Sequence, residues 1–227
     1  MILTILQARM SSSRLPGKVM RPMAGVPMIG RQIERLRRCE TLGKLVLATS
    51  LEPSDDPLAA YVERLGVTVF RGSLNDVLGR FQAAVTAHGP AEHVVRLTGD
   101  CPLADPDVID ACVRLHLNAG RDYTSNTLDR TFPVGLDVEV MRASALAEAF
   151  RDAADPYDRE HVTPYLYRNP TRFSLMQLRQ NPDLSGLRWT VDYPEDFAFA
   201  EQVFEALIEP FGQSQILKLP FGRRMAA

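Results

Sequence analysis

The sequence has few cysteines and no long apolar segment, and each of these features excludes some classes of protein. Its three cysteines, Cys39, Cys101 and Cys112, have no CxxC spacing, which argues against a disulfide framework or a cysteine zinc site. No apolar run approaches the roughly 18 residues of a membrane-spanning helix. The first residues show no basic segment followed by a long apolar one, so no secretory signal is visible. We therefore expect a cytoplasmic protein with no membrane partner.

The sequence also has no surplus of basic over acidic residues, and lysine is the rarer of the two basic residues. The 26 basic and 28 acidic residues give a net charge of −2, whereas a general nucleic-acid binder carries a basic surplus. We therefore expect no nucleic-acid partner and only local phosphate binding. The chain has only three lysines, Lys18, Lys44 and Lys218, and its other basic residues are arginines. Position 18 therefore carries a compact ammonium instead of the planar guanidinium that is usual in this chain.

Polar and cationic residues follow the first apolar run at once. Residues 2–6 are short enough for one buried strand, and residues 7–18 read Q-A-R-M-S-S-S-R-L-P-G-K. Such a loop presents backbone N–H groups, and the cations Arg9, Arg14 and Lys18 can neutralise phosphate oxygens. It is not a Walker loop, because it lacks the GxxxxGK[ST] pattern. From these residues alone, a flexible surface loop remains the alternative.

This dodecamer resembles the opening signature of the cytidylyltransferases that make CMP-activated acid sugars, and it is most similar to the spore-coat polysaccharide (SpsF-like) branch. The resemblance implies transfer of CMP from CTP to the hydroxyl of an acidic sugar, with release of pyrophosphate, for surface polysaccharide biosynthesis. It also implies a Mg²⁺ cofactor and a homodimer. Within the loop, it implies that the backbone near Ala8 and Arg9 reads the base, and that Arg14 and Lys18 offset charge on the leaving pyrophosphate.

Hydrophobic periodicity predicts an α/β fold. Strands are predicted at residues 2–6, 45–49, 67–70, 94–97, 137–140, 173–178 and 187–191, and helices at residues 27–39, 58–65, 143–152, 159–168 and 194–211. Alternating strands and helices in the first half predict right-handed crossovers and a mainly parallel sheet covered on both faces. The mixed pattern after about residue 123 extends the same sheet.

Together with the resemblance, these patterns predict a three-layer sandwich with a mainly parallel mixed sheet, nucleotide-diphospho-sugar transferase-like (GT-A/Rossmann-like). Its 227 residues, 45% of them hydrophobic, are enough for one domain with a substantial core. We expect residues 1–120 to form a nucleotide-binding half and residues 121–227 to form an acceptor and dimerisation half. The last dozen residues are expected to be poorly ordered.

Two aspartates follow predicted strands directly and are candidate metal ligands. Asp100 lies in the turn T-G-D-C-P and Asp192 in the segment W-T-V-D-Y-P-E-D. Ligands bind outside the carboxyl ends of parallel strands, and Mg²⁺ takes one or two protein carboxylates together with phosphate oxygens and waters. Locally, each aspartate can equally cap a turn or helix. The resemblance implies that Asp100 and Asp192 share the metal.

A second segment, R-G-S-L-N-D-V-L-G-R-F, resembles the part of the family that lies beside the nucleotide. Arg71 and Ser73 are therefore candidate nucleotide-binding residues. Ser73 is also expected to cap the following helix, with Asp76 in the same first turn. Asp76 and Arg80 can equally be a surface pair four residues apart on that helix.

The acceptor side is expected in two further segments that resemble the family. The candidate residues are Asp137, Glu139, Arg159, Glu160 and His161. A carboxylated sugar needs a cation for its acid, expected from Arg159 or His161, and oxygen acceptors for its hydroxyls, expected from the three acids. From the residues alone, the segment 159–161 can equally be a solvated helix start capped by Asp158.

Two other functions remain open at this stage. A glycosyltransferase of similar fold predicts a D-x-D metal pair at a strand end, but the sequence D-C-P at Asp100 offers only one aspartate. If the protein were a catalytically silent scaffold that binds nucleotide sugars, we would expect the charged residues of the site to be missing. Arg14, Lys18, Asp100 and Asp192 are all present, so the sequence favours the nucleotidyltransferase.

Overall fold

A seven-stranded sheet forms the centre of the computed structural model, which describes residues 1–225. The strands are β1 (Ile2–Gln7), β2 (Pro22–Met23), β3 (Val26–Pro27), β4 (Lys44–Ser50), β5 (Thr68–Gly72), β6 (His93–Thr98), β7 (Tyr123–Ser125), β8 (Glu139–Arg142) and β9 (Leu175–Gln177). The order in the large sheet is β5-β4-β1-β6-β8-β7-β9, and β2 with β3 forms a separate hairpin. Within the large sheet of residues 1–225, only β8 runs antiparallel to its neighbours, β6 and β7, which confirms the mainly parallel mixed sheet.

Helices cover both faces of this sheet. They are α1 (Met28–Leu36), α2 (Asp56–Arg64), α3 (Val77–His88), α4 (Pro106–Ala119), α5 (Ala143–Asp152), α6 (Pro156–His161), α7 (Pro164–Tyr167), α8 (Pro194–Ala206) and α9 (Gln213–Ile216). Leu6 of β1 packs into a core with α1, α2, α4 and α8, whereas Leu3 and Ile5 pack into a second core with α3, α5 and α7. This alternation follows from the two-residue period of a strand, and it confirms the three-layer sandwich.

The second half departs from the sequence expectation in four places. Residues 187–191 form no extended strand and make only isolated bridges, Val134 with Arg188 and Leu187 with Met225. The predicted helix 159–168 is two short helices, α6 and α7, since Pro164 lacks an N–H and starts a new helix. The cap of α6 is Asp155, not Asp158. The short buried strand β7 was not predicted.

The predicted cap of α3 is also wrong by three residues. Asp76, not Ser73, is the N-cap, and its side chain accepts a hydrogen bond from the Gly79 N–H at 2.9 Å. The Ser73 hydroxyl instead accepts from the Asp76 N–H at 3.0 Å. The carboxyl ends of β1, β4 and β6 lie side by side, since Gln7 is in register with both Ala48 and Thr98. In residues 1–225, no helix has the length and apolar character needed to cross a membrane.

Candidate active site

A cavity of about 320 Å³ opens at the carboxyl ends of β1 and β6. We call it the first cavity; its lining includes Ala8, Arg9, Arg14, Lys18, Asp100 and Asp192. The loop that follows β1 forms one wall, and the turn that follows β6 forms another. The segment that enters α8 completes it. Three parts of the chain that are far apart in sequence therefore meet at the sheet edge where ligands of α/β proteins bind.

Lys18 lies between the two candidate metal ligands. Its Nζ donates hydrogen bonds to the Val191 carbonyl at 2.5 Å and to Asp192 Oδ1 at 3.2 Å, and it lies 3.7 Å from Asp100 Oδ2. The Lys18 side chain is only 9% exposed. Both carboxylates therefore face one point beside the cationic loop, as the sequence analysis expects, while their roles as ligands remain predictions.

Three cations surround Asp192. Arg14 Nη2 lies 2.8 Å from Asp192 Oδ1, and Arg188 Nη2 donates to Asp192 Oδ2 at 2.8 Å. Burial on its own raises the pKa of Asp192, but the charge of Lys18 and the hydrogen bond from Arg188 outweigh it, so the pKa is lowered. Asp192 is therefore ionised at neutral pH. Sequence reasoning missed Arg188, which is one of many arginines in the chain.

Asp55 holds the loop after β1 in place. This carboxylate is fully buried, and it accepts hydrogen bonds from the Met10 N–H at 2.7 Å and the Thr49 hydroxyl at 2.9 Å. The close approach of the loop to the β6 turn also depends on Gly99, because a Cβ there would lie 2.6 Å from the Ala8 Cβ. Gly99 thus makes room for the loop. No pattern in the sequence distinguishes Asp55 from the neighbouring Asp56.

The end of the chain anchors the Asp192 segment. Asp196, which is 1% exposed, accepts from the Asp192 N–H at 2.8 Å, and it is paired with Arg224 at 2.7 Å. The Trp189 indole donates to the Gly222 carbonyl at 3.1 Å. The expectation of poor order is therefore wrong for the described residues of this tail, because buried groups of the site hold it. Trp189 is part of the core.

Two of the predicted nucleotide-binding residues lie outside the first cavity. The Arg71 guanidinium is paired with Asp56 at 2.6 Å and donates to the Ser50 carbonyl at 2.9 Å. Ser73 is engaged in the turn before α3. The structure therefore brings Ala8 and Arg9 to the cavity but not Arg71 or Ser73.

A second cavity, of about 380 Å³, adjoins the first. Its lining includes Arg96, Arg130, Asp137, Glu139, Tyr157 and His161. Arg130 Nη2 donates to Asp137 Oδ2 at 2.8 Å. Glu139 is buried and accepts from the Tyr123 hydroxyl at 2.5 Å, from the Thr163 hydroxyl at 2.6 Å and from Arg96. Sequence reasoning expected the two acids here, but not the arginine that pairs with each of them.

The remaining acceptor candidates separate into two groups. Glu160 lines the first cavity, and His161 lines both cavities. Arg159 lines neither, because its guanidinium is bound to Asp76 by two hydrogen bonds of 2.6 and 2.9 Å. The structure therefore places Asp137, Glu139, Glu160 and His161 around the paired cavities, and it leaves Arg159 outside them.

The carboxylates at Lys18 suit a magnesium ion. Within residues 1–225, no three His, Cys, Asp or Glu side chains are arranged to hold a metal by themselves. Mg²⁺ does not require such a set, since it takes one or two protein carboxylates and completes its shell with phosphate oxygens and waters. Asp100 is 32% exposed and Asp192 is 14% exposed, and the two carboxylates converge on one cationic group, since Lys18 Nζ lies within 3.7 Å of both. The pair therefore fits a hard divalent cation bound together with a phosphate ligand.

Comparisons with known proteins agree with this geometry. The family model described as cytidylyltransferase matches residues 3–217. The spore coat polysaccharide biosynthesis protein SpsF of Bacillus subtilis is 35% identical over 211 residues, which cover 90% of this chain and 86% of the relative. The 3-deoxy-manno-octulosonate cytidylyltransferase of Rhizobium johnstonii is 30% identical over 183 residues, which cover 74% and 72%.

A solved structure gives the same result. The cytidylyltransferase from Leptospira borgpetersenii serovar Hardjo-bovis superposes with a TM-score of 0.93 at 32% identity, and the match covers 100% of this chain and 98% of that one. Sequence and structure comparisons therefore point to one family over nearly the whole chain. The protein belongs to the cytidylyltransferase family, and it is a nucleotidyltransferase.

Proposed function

We propose that this enzyme transfers CMP from CTP to the hydroxyl of an acidic sugar in a Mg²⁺-dependent reaction that releases pyrophosphate. The observation that carries the proposal is the position of Lys18 between Asp100 and Asp192 in a cavity at the sheet edge. The names of the relatives support an acid-sugar acceptor and a place in surface polysaccharide biosynthesis. The glycosyltransferase and scaffold alternatives have no supporting observation.

Lys18 and Arg14 bind and neutralise the phosphates. An ammonium has three N–H donors; Val191 and Asp192 accept two from Lys18, and the third is free for a phosphate oxygen. The Arg14 side chain is half-exposed, and its guanidinium lies 5.1 Å from the centre of the Tyr193 ring. Both cations offset the charge that grows on the leaving pyrophosphate. Such preorganised electrostatics and positioning supply most of the catalysis in phosphoryl-type transfer.

The reaction forms a bond from the acceptor oxygen to the α-phosphorus of CTP. It breaks the bond between the α-phosphorus and the oxygen that links it to the β-phosphorus, and this oxygen leaves with the pyrophosphate. The hydroxyl proton passes to a nearby base or to solvent. Asp100 and Asp192 would hold the Mg²⁺, which supplies charge neutralisation and alignment of the phosphates when bound. Ala8 and Arg9, at the start of the same loop, bind the nucleotide.

The second cavity is the proposed acceptor site. Asp137, Glu139, Glu160 and His161 lie around it or at its border with the first cavity, where they bind hydroxyls and the reacting end of the sugar. In this proposal residues 1–120 form the nucleotide half, and residues 121–227 form the acceptor and dimerisation half. Asp192 is an exception, because it lies in the second half and serves the nucleotide side. The proposed working form is a cytoplasmic homodimer.

Pyrophosphate release tests this function. The enzyme is incubated with Mg²⁺, each of the common nucleoside triphosphates and a panel of sugars that contains acid sugars and matched neutral sugars. We expect release only with CTP and an acid sugar, and complete loss after chelation of the metal. Turnover with neutral sugars alone, or with another nucleotide in preference to CTP, would contradict the proposal.

A further inference from the structure

Arg96 lies in the wall that separates the two cavities. Only three of the described residues line both cavities, namely Arg96, Thr98 and His161. Among them, arginine is the one side chain that is cationic at every physiological pH. Arg96 comes from the carboxyl end of β6, and its side chain is 12% exposed. A fixed positive charge therefore stands where the nucleotide side and the acceptor side meet.

One end of the Arg96 guanidinium is held firmly. Its Nη1 is bound to Glu139 Oε2, and the other oxygen of Glu139 accepts from Tyr123 at 2.5 Å and from Thr163 at 2.6 Å. Burial lowers the pKa of Arg96, but the adjacent Glu139 outweighs it, so the pKa is raised and the charge is retained. The carboxylate thus orients the arginine.

The other edge of the guanidinium is poorly satisfied. Nε and Nη2 share a single neutral acceptor, Gln7 Oε1, and both contacts are 3.4 Å long. Good N–H···O hydrogen bonds are about 2.7–3.2 Å long. A carboxylate has two oxygens spaced to meet both donors of such an edge at once. Arg96 therefore presents an oriented and unsaturated fork beside the first cavity.

The chemistry of an acid sugar brings its carboxylate to this place. Where the carboxylate is attached to the carbon that bears the reacting hydroxyl, it must lie beside the α-phosphorus, at the junction of the two cavities. Arg159 is bound to Asp76 and lines neither cavity. Arg130 lines only the second cavity, where Asp137 occupies its fork. We infer that Arg96 binds the acceptor's carboxylate through its Nε–Nη2 edge and selects acid over neutral sugars, an inference that rests on the proposed function.

The test compares two substrates that differ only in the carboxylate. The probes are 3-deoxy-manno-octulosonate, or the acid sugar of the panel that the wild type uses best, and its carboxamide. Arg96→Lys keeps the charge and removes the fork. We expect it to lower the acid-to-carboxamide ratio of kcat/KM by about 10- to 100-fold, the range for a lost hydrogen bond between charged groups. The KM for CTP should change by no more than about twofold, since the fork does not serve the triphosphate.

Two controls and a second variant guard against a folding effect. Arg142→Lys changes an arginine of the same sheet that lines neither cavity and is paired with Asp122, so it should leave kcat and the ratio unchanged. Arg130→Lys tests the rival arginine and should leave the ratio unchanged. The double variant Arg96→Gln/Glu139→Gln removes the buried pair together, avoids an unpaired carboxylate, and should lower the ratio as Arg96→Lys does.

Each outcome has one meaning. A structural defect lowers kcat/KM for acid and carboxamide alike, so an unchanged ratio in Arg96→Lys and in the double variant overturns the assignment of Arg96. A lower acid-to-carboxamide ratio in Arg130→Lys would instead assign recognition of the carboxylate to Arg130. If the wild type turns over no acid sugar with CTP, the proposed function fails, and the role of Arg96 fails with it. An active wild type with an unaffected ratio rejects Arg96 alone.

Discussion

The two cavities are built from opposite arrangements of charge. In the first, Arg9, Arg14 and Lys18 come from one continuous loop, and they face acids from other parts of the chain. In the second, each arginine has its own carboxylate, Arg96 with Glu139 and Arg130 with Asp137. A loop of clustered cations is suited to a triphosphate that arrives with a metal ion. Paired charges are suited to a ligand that has many hydroxyls and a single carboxylate. The shared wall at Arg96 is where the two types of recognition meet.

The largest effect is expected from Lys18→Ala, which removes the cation at the centre of the first cavity. We expect kcat to fall by about 10²–10³-fold or more, as for the loss of a preorganised group that stabilises developing charge. The free energy of unfolding should fall by only about 1–2 kcal/mol, because Arg14 and Arg188 still pair with Asp192. Pyrophosphate release and urea unfolding provide the two measurements. Lys44→Ala, on the exposed start of β4, is the matched control; normal turnover by Lys18→Ala would remove the leaving-group role.

The next effect concerns metal dependence. Asp100 is one-third exposed, and the side-chain hydrogen bond that it accepts among the described residues is a long one of 3.5 Å from the Cys101 thiol. Asp100→Asn should therefore leave the fold intact. We expect the Mg²⁺ concentration that gives half-maximal rate to rise by about tenfold or more. A tenfold rise corresponds to the loss of about 1.4 kcal/mol of metal-binding free energy, because the neutral amide replaces a charged ligand. Initial rates over a Mg²⁺ titration measure this. Asp107→Asn, which changes an acid in the first turn of α4, should follow the wild-type curve, and an identical curve for Asp100→Asn would exclude Asp100 as a ligand.

A smaller effect is expected from the tail that supports the first cavity. Arg224→Ala removes a partner of the buried Asp196, which in turn holds the Asp192 backbone. We expect a loss of about 1–3 kcal/mol in the free energy of unfolding. We also expect a lower kcat at unchanged KM for CTP, because the Asp192 segment loses its fixed position. Arg223→Ala changes an exposed neighbour, so it should change neither the free energy of unfolding nor kcat. Equal behaviour of the two variants would show that the tail does not position the site.

The smallest effect lies at the opposite end of β6 and touches neither cavity. His116 is buried, and its Nε2 lies 3.0 Å from His93 Nδ1. Burial lowers the pKa of His116 to about 4, below the ordinary value of about 6.5. The unfolded chain therefore binds a proton more readily than the folded one, so stability should fall as pH falls from about 6.5 to about 4. Denaturant unfolding across this range measures the slope. His116→Gln should flatten it, and an unchanged slope would assign the acid sensitivity elsewhere.

The same contrast explains how much was predictable. Much of the first cavity could be predicted because Arg9, Arg14 and Lys18 lie in the one loop after β1, and because the family resemblance pairs Asp100 with Asp192. The acids of the second cavity were expected, but their arginine partners were not, since these pairs depend on how the chain folds. Arg96 meets Glu139 only because β6 and β8 pair antiparallel with these residues opposite each other. Arg159 was misplaced for a similar reason: its partner Asp76 lies 83 positions earlier in the chain. Local patterns carry no information about such pairings.

Location of a bound metal tests the central claim most directly. Crystals of the enzyme grown with CTP and Mn²⁺, which replaces Mg²⁺ in oxygen-rich sites, are measured for anomalous scattering from manganese. The account predicts a peak in coordination range of both Asp100 and Asp192, with phosphate oxygens on its other side and Lys18 beside it. A peak bound by neither carboxylate, with the nucleotide in the first cavity, would contradict the account.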